Sequence, residues 1–504
     1  MIPKKYLLRG RIKYLLLLIF TTASNIGTYC QVLQYRTGDK IVAYDEGTFK
    51  LHDMDSLYLY AFRNHYEAYY VDVYDRDSLR RNALIRIPLP SKDSIKYGLE
   101  SLFIRNDTFQ IFYSYFDKIS KAEKLEMITF NRQGEKIGET KLIDVSEGKN
   151  EKKAGSFSVH NEKKLNEFIS YSFKQLQDTM YINIDHFDYT GIKKRSQSFI
   201  LEEEDYIIYS TWDEDYNLYH LTRNKRGNRD VTWNIRFYRP EAESPQIIRL
   251  KRASAERVYL SNFFMTYRDG QQRLNFITPY TMRPQSKYAE GMYIAQIDPV
   301  SHVLIKEDIV PFEIKGGDKE YQRDFSLFSC IPVAAIPLGN GRLRMVFESR
   351  LQTITKLYWA EIANEFEIGN IITVDLDANN SVTEIHKVKK DQNTEEGYFK
   401  FTGFAILIHA GKSYFIYNEL PGNLQLNPKD FEPVTWKKIS KTVVIYTSVD
   451  SNKVKRNILI SKDPDSGTDA IIPGSYLRAH DKSEIYLLRK IKKDVFLTKI
   501  FITD

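Results

Sequence analysis

FQIFYSYF (Phe109–Phe116), LEMITF (Leu125–Phe130), the turn NRQG (Asn131–Gly134) and Lys136–Ile143 are the stretch that decides the fold. Apolar and aromatic runs with period-two patterning between turn residues are the mark of β-strands. The beat repeats on both sides. Phe168–Phe173, Tyr181–Tyr189 and Gln197–Leu201 form the next set, with Gly191 as a turn. Tyr206–Ser210, Leu218–Leu221, Val231–Tyr238 and Ile247–Leu250 follow. Further sets span Tyr259–Ile309, Val333–Val388 and Phe401–Ser461, and the first runs from Phe49 to Leu89. Each set is roughly 45 to 65 residues long, near the blade period of a propeller.

The last stretch, Ser475–Ile502, supplies only three strands: SYLRA, EIYLLRK and VFLTKIFI. A strand at the other end, Lys40–Tyr44, is expected to complete it. Pairing of the two chain ends removes an exposed edge and closes a ring. The sequence therefore predicts an all-β propeller of eight four-stranded blades over residues 31–504, with seven as the rival count. A string of β-sandwich domains is the competing architecture. No Pro/Gly/Ser-rich linker interrupts the beat, which favours one ring. Gln352–Phe366 reads as an insert with a short helical turn. A second insert, LPGNLQLNPKDFEPVTW (Leu420–Trp436), is rich in Pro and Asn.

Residues 1–30 read as a signal peptide. Lys4, Lys5, Arg9, Arg11 and Lys13 precede the short apolar core Tyr14–Phe20. That core falls short of the ~20 apolar residues of a membrane span, and no later segment is long and apolar enough for one. Cleavage before Gln31 and cleavage after Ala23 both fit. A lipid anchor on Cys30 is the alternative, against which the bulky Tyr29 counts. The net charge of +7 falls to +2 once the five basic residues of the leader are set aside. A nearly neutral body argues against a nucleic-acid partner. Only Cys30 and Cys330 are present, so loss of the leader leaves no disulfide within the chain.

Five segments stand out in the last quarter to third of the chain: Gly369-Asn370-Ile371-Ile372-Thr373-Val374, Lys389-Lys390-Asp391-Gln392, Gly397-Tyr398, Lys412 to Asn418 (KSYFIYN) and Leu497–Ile502. In these segments the chain resembles a set of uncharacterised exported proteins of the Bacteroidota. The chain departs from that pattern at Ile385, where those proteins carry a Trp. The resemblance implies a cell-envelope protein, periplasmic or associated with the outer membrane, of unknown activity. Triplets starting at Asp55, Asp77, Asp93 and Asp178 also look like O-glycosylation signals of exported proteins in that phylum.

Catalytic spacing is missing. The nine histidines include no HxH or HExxH, and none adjoins a cysteine, so no metal site is expected. Asp185, His186 and Asp188 read as a strand histidine beside solvated acids. No nucleophile elbow, phosphate loop or dinucleotide fingerprint occurs, and no cofactor is expected. Cys330 reads as a buried hydrophobe, Gly339-Asn340-Gly341 as a hairpin turn, and Arg223, Lys225, Arg226 and Arg229 as a solvated loop. The most suggestive surface patch is YSTWDEDY (Tyr209–Tyr216). Trp212 and Tyr216 flank Asp213 and Asp215; exposed rings stack on sugars or anchor a protein, and carboxylates bind hydroxyls. The alternative for Trp212 is packing between blades. The functional expectation is an exported, non-catalytic binding or scaffold protein whose rim loops contact an envelope protein or glycan. The rival is a carbohydrate-active enzyme with carboxylates converging at the propeller axis.

Overall fold

The fold is known from a computed structural model. It describes residues 32–503 except 42–48, 66–67, 89–96, 106–107, 148–155, 163–166, 177–178, 202–204, 213–217, 225–230, 239–243, 262–264, 270–272, 284–287, 299, 313–329, 357–361, 396–399, 428–429, 451–452, 462–466 and 480–482. Eight antiparallel sheets follow one another along the chain. Each runs from an inner to an outer strand. Blade 1 holds Phe49–Met54, Tyr58–His65, Ala68–Asp75 and Arg81–Pro88. Blade 2 holds Gly98–Arg105, Thr108–Asp117, Ala122–Asn131 and Lys136–Glu147. Blade 3 holds Ser156–Glu162, Glu167–Leu176, Thr179–Asp188 and Lys193–Leu201. Blades 4, 5, 6 and 7 begin at Asp205, Tyr259, Cys330 and Ala405. Blade 8 contains Asp469–Arg478, Glu484–Ile491 and Asp494–Thr503.

The eighth sheet takes its outermost strand from the far end of the chain. Val32–Ile41 pairs antiparallel with Asp494–Thr503, from Val32 opposite Thr503 to Ile41 opposite Val495. The closing strand thus lies several residues before the expected Lys40–Tyr44, and residues 42–48 are outside the described ones. The ring has eight blades.

Why these strands form a ring rather than beads follows from their faces. Phe109, Ile111, Tyr113 and Tyr115 pack toward blade 1. Phe112 turns the other way, onto Phe157, Val159 and Phe168 of blade 3. A strand apolar on both faces belongs to a sheet covered on both faces. Eight hydrophobic clusters follow, one between each pair of successive blades. The last joins Ala470, Ile472, Leu488 and Leu497 of blade 8 to Leu51, Leu59 and Tyr74 of blade 1. In every blade but the fourth, the pairing of the third and fourth strands slips at a bulge. Bulges increase local twist, which lets neighbouring sheets stack at the angle a ring requires.

The hairpins between third and fourth strands reuse one turn. Asn131 Oδ1 accepts the amides of Gln133 and Glu135 (3.0 and 2.8 Å), with Gly134 at φ +82°. Asp188 Oδ1 accepts those of Thr190 and Ile192 (2.9 and 3.0 Å), with Gly191 at φ +81°. A short acceptor side chain folding onto its own turn, then a residue in the left-handed region, is the reason for Asx and Gly at these places. The described residues of Gln352–Phe366 are strand, since the second strand of blade 6 runs through Arg342–Lys356 and the third through Ile362–Leu376; the rest of the expected helical turn, 357–361, lies outside the described residues. Period-two alternation in RLQTITK outweighed the helix formers around it.

Ile41 is fully buried in the closing seam, whereas Gln34 of the same strand is exposed. Ile41→Ala should lower stability by about 2–5 kcal/mol, and Gln34→Ala should change it by less than about 0.5 kcal/mol. Urea unfolding of the whole chain checks both.

Candidate functional site

In a four-stranded meander wound this way, first-to-second and third-to-fourth turns open on one rim. Second-to-third turns and blade-to-blade connections open on the other. Two insertions build up that second rim. The long central hairpin of blade 6 extends past its inner strand, and Gln392–Glu395 pairs along the extension. The insert of blade 7 then adds Val434–Thr435 in parallel beside Gln392–Glu395. It also contributes two short 3-10 turns, Pro421–Leu424 and Trp436–Lys441. The expected rim insert at Leu420–Trp436 is therefore folded onto its neighbour.

A buried polar cluster fastens these pieces. Lys390 Nζ lies 2.7 Å from Glu348 Oε1, and neither side chain is exposed. Arg350 Nε also bonds Glu348. Lys390 Nζ reaches Gln392 Oε1 at 3.2 Å, and the Lys390 amide donates to Asn370 Oδ1 at 3.2 Å. Gln392 donates to the Asn418 carbonyl (3.1 Å) and accepts from the Gly403 amide (2.9 Å). Gly403 sits at φ +82°, a conformation that suits glycine. Asn418 donates to the carbonyls of Phe401 (2.9 Å) and Ile471 (2.8 Å) and accepts the Ile471 amide (2.9 Å). One side chain thus ties blade 7 to the inner strand of blade 8.

Glu419 completes the cluster. Its Oε1 accepts from the Leu420 amide (2.9 Å) and Asn423 Nδ2 (2.7 Å), while Oε2 has no hydrogen-bond partner among the described residues. Burial pushes its carboxyl up to about 7, against the hydrogen bonds from Asn423 and Leu420 and the charges of Arg456 and Lys390. Burial also works to raise Glu348, yet the cations Lys390 and Arg350 hold it below the ordinary glutamate value. Chemically, Lys390 and Glu348 are spent on each other. Glu419 holds a proton near neutrality, but a side chain closed to solvent cannot exchange it with a bulky substrate. The cluster is a clamp that fixes the rim.

The sequence-derived candidates fall elsewhere. Trp212 ends the inner strand Asp205–Trp212 of blade 4, opposite Leu218. Its side chain, and Asp213, Asp215 and Tyr216, lie outside the described residues. The backbone of Trp212, at the end of a first strand, stands at the rim opposite the insertions. Lys225, Arg226 and Arg229 also lie outside the described residues. Cys330 is fully buried between blades 5 and 6. Gly339, Asn340 and Gly341 make the expected hairpin turn, all at positive φ. Asp188 caps its own turn, and Asp185 pairs with Lys193 at 2.7 Å. Buried His186 faces Glu167 instead, at 3.2 Å.

Among the described residues, Asp375, Glu384 and His386 are the one group of three acid or imidazole side chains within 4.8 Å. It sits on the outer half of blade 6, away from the axis. Both Asp375 oxygens are held by Arg344 at 2.7 Å in a fork that a cation would have to break. A cleft of about 280 Å³ runs past Asp308 and Asn380, between the outer strand of blade 5 and a turn of blade 6. It too lies at the circumference.

Sequence reading missed the Glu348–Lys390–Glu419 cluster. Its signal was present: Asn370, Lys390, Gln392 and Asn418 all fall in the segments that carry the resemblance described above.

The topology makes this protein a β-propeller. No family model matches the chain, and no curated protein matches it. Solved structures similar to it include the Dos1 propeller (10% identity, 76% of this chain and 90% of that one, TM-score 0.30). The propeller domain of the Trilobed protease from Pyrococcus furiosus is another (10%, 82% and 97%, TM-score 0.35). The polysaccharide lyase Uly1 is a third (8%, 93% and 100%, TM-score 0.35). At this identity no activity transfers from them. Among the described residues, no helix is long and apolar enough to cross a membrane.

Glu419 yields a pH signature. An acid whose folded value, about 7, exceeds its unfolded value stabilises the fold fully below about 4.5; that stability is lost as pH rises through 7. Glu419→Gln should flatten the fall in stability between pH 5 and 8.5 by an amount on the order of 2–3 kcal/mol. Thermal unfolding of both proteins across that range measures it.

Proposed function

We propose that this chain is an exported, non-catalytic binding propeller of the bacterial cell envelope. It offers the rim built by blades 6 and 7 to an envelope protein or glycan. One observation carries the reading: the two insertions are locked to each other and to blade 8 by a buried clamp whose hydrogen bonds are spent almost wholly within the chain. Rigid support beneath surface loops is what a binding rim needs. Leu351, on the extended hairpin, and Leu426, in the insert, stand 47% and 46% exposed on this rim. They supply apolar contact at its crest. Export rests on the leader at 1–30, and the resemblance to exported Bacteroidota proteins points to the same compartment. The enzyme reading needs converging axial carboxylates. The acids that cluster among the described residues lie instead on outer strands, one of them neutralised by Arg344.

In-cell crosslinking and glycan-array binding of the mature chain test this. A double variant, Leu351→Glu with Leu426→Glu, should lose the bound partner by tenfold or more while unfolding at the same temperature. Trp212→Ala, on the opposite rim, should leave binding unchanged. Binding that ignores the double variant and follows Trp212 would move the contact to the YSTWDEDY loop. Turnover of a polysaccharide would replace the binder with an enzyme.

A further inference from the structure

The seam between blades 2 and 3 brings buried polar side chains from both sheets in beside its apolar cluster. On the outer strand of blade 2, Asp144 pairs with Leu125, whose side chain packs into that seam, so Asp144 and Ser146 point the same way. On blade 3, Val159 packs into the seam and faces Ser170, which in turn faces Asp185; these side chains share one face. Ser170, Ser146 and Asp185 are 0%, 4% and 3% exposed.

Much of the bonding capacity of this group is unused. The Val145 amide donates to Asp144 Oδ1 at 2.7 Å, and Lys193 Nζ to Asp185 Oδ2 at 2.7 Å. The Ser172 hydroxyl also donates to the Asp144 carboxylate, but among the described residues Asp144 Oδ2, Asp185 Oδ1, Ser146 Oγ and Ser170 Oγ meet no hydrogen bond of good geometry. Both the Asp185 carboxylate and the Lys193 ammonium act on Asp144 across the seam, so the two acids stand in one electrostatic field. Buried oxygens of this kind ordinarily carry partners. Elsewhere in the ring, Asp375 and Asp469 each meet an arginine fork through both oxygens, Asp375 with Arg344 at 2.7 Å and Asp469 with Arg489 at 2.6 Å. Here two carboxylates share one lysine that is 43% exposed.

We infer that Asp144, Asp185, Ser146 and Ser170 form a binding site for a hard divalent cation of calcium size, which pins blade 2 to blade 3. The donors are all oxygen, two of them anionic, which is the ligand chemistry of calcium rather than of zinc or copper. Flexible hydroxyl donors on two separate sheets suit its tolerant geometry better than the strict octahedron of magnesium. Lys193 holds the place of the cation and can turn its ammonium out to solvent on binding. The site is separate from the insertion rim and does not depend on the proposed function.

The test uses the whole mature chain stripped with chelator. Calcium titrated to about 10 mM, beyond the 10⁻⁴–10⁻³ M range of extracellular sites, should raise the unfolding temperature by several degrees. Magnesium should give a smaller rise. Ser170→Ala should weaken calcium binding in calorimetry, and Asp185→Asn should abolish it. Lys193→Gln, which removes the competing ammonium, should tighten it roughly five- to tenfold. That gain does not arise from a merely structural role and survives any folding defect of Asp185→Asn. No calcium-dependent shift overturns the inference, as does a shift that sodium chloride reproduces at equal ionic strength. Lys193→Gln without tighter binding overturns it as well.

Discussion

Each sheet in this protein is apolar on both faces, so none is stable until a neighbour lies on either side. That requirement organises the molecule. It forbids an open row, because the first and last sheets would each leave one face wet. The seam between blades 8 and 1 is where the demand is met, and Val32–Ile41 serves it twice. Ile41 joins the cluster against blade 1, while Leu33 joins the one against blade 7. A single strand from the far end of the chain thus fills two seams and covers the edge of Asp494–Thr503. Outer strands elsewhere stay open to water and carry charge, as in KVKRNILI at Lys453–Ile460. Lysine and arginine along such an edge discourage pairing with another chain.

Burying both faces leaves little room for charge, and the ring treats it in three ways. Arg63–Asp72, Arg344–Asp375 and Arg489–Asp469 are paired inside or across hairpins, with at most 8% of any of these side chains exposed. Removing one partner from such a pair costs more than the pair contributes, so each acts as a register mark. The Lys390–Glu348 pair does the same for the insertions. Glu419 and the Asp144–Asp185 group differ, because among the described residues no arginine is paired with their unbonded oxygens, whereas Asp72 Oδ1, also without a hydrogen bond among the described residues, has the Arg81 guanidinium 3.7 Å away. Desolvation without compensation is expensive, so these two places depend most on protons and ions in the surroundings.

The architecture was legible because its cause is local. FQIFYSYF alternates toward two different neighbours: Phe109, Ile111, Tyr113 and Tyr115 face one, and Phe112 faces the other between the buried polar Gln110 and Ser114. Turn chemistry at Asn131–Gly134 and Gly191 was legible for the same reason, since a single side chain folds onto its own backbone. The closing strand was found but shifted, because an edge strand with polar residues such as Arg36 and Lys40 has a weak period. Gln352–Lys356 and Ile362–Phe366, inside the stretch expected to hold a helical turn, are strand because pairing with a partner strand overrides local propensity. Lys390, Glu348 and Glu419 stand far apart in sequence, and only the rim brings them together. Asp185 was weighed with His186 and Asp188, its neighbours in the chain. Strand geometry turns His186 to the opposite face, and the group that Asp185 meets is Asp144, on another blade.

Chain direction also decides which rim is free. Val32–Ile41 is an outermost strand, so it runs toward the rim that carries the blade-to-blade connections. Val32 therefore starts at the opposite rim, with the first-to-second-strand turns. Thr503, paired with Val32, lies at that same rim. The extended hairpin of blade 6 and the insert of blade 7 stand on the other one, clear of both described ends of the chain. Insertions raised there crowd neither end, and the clamp of Lys390, Gln392 and Asn418 holds them up without a separate domain.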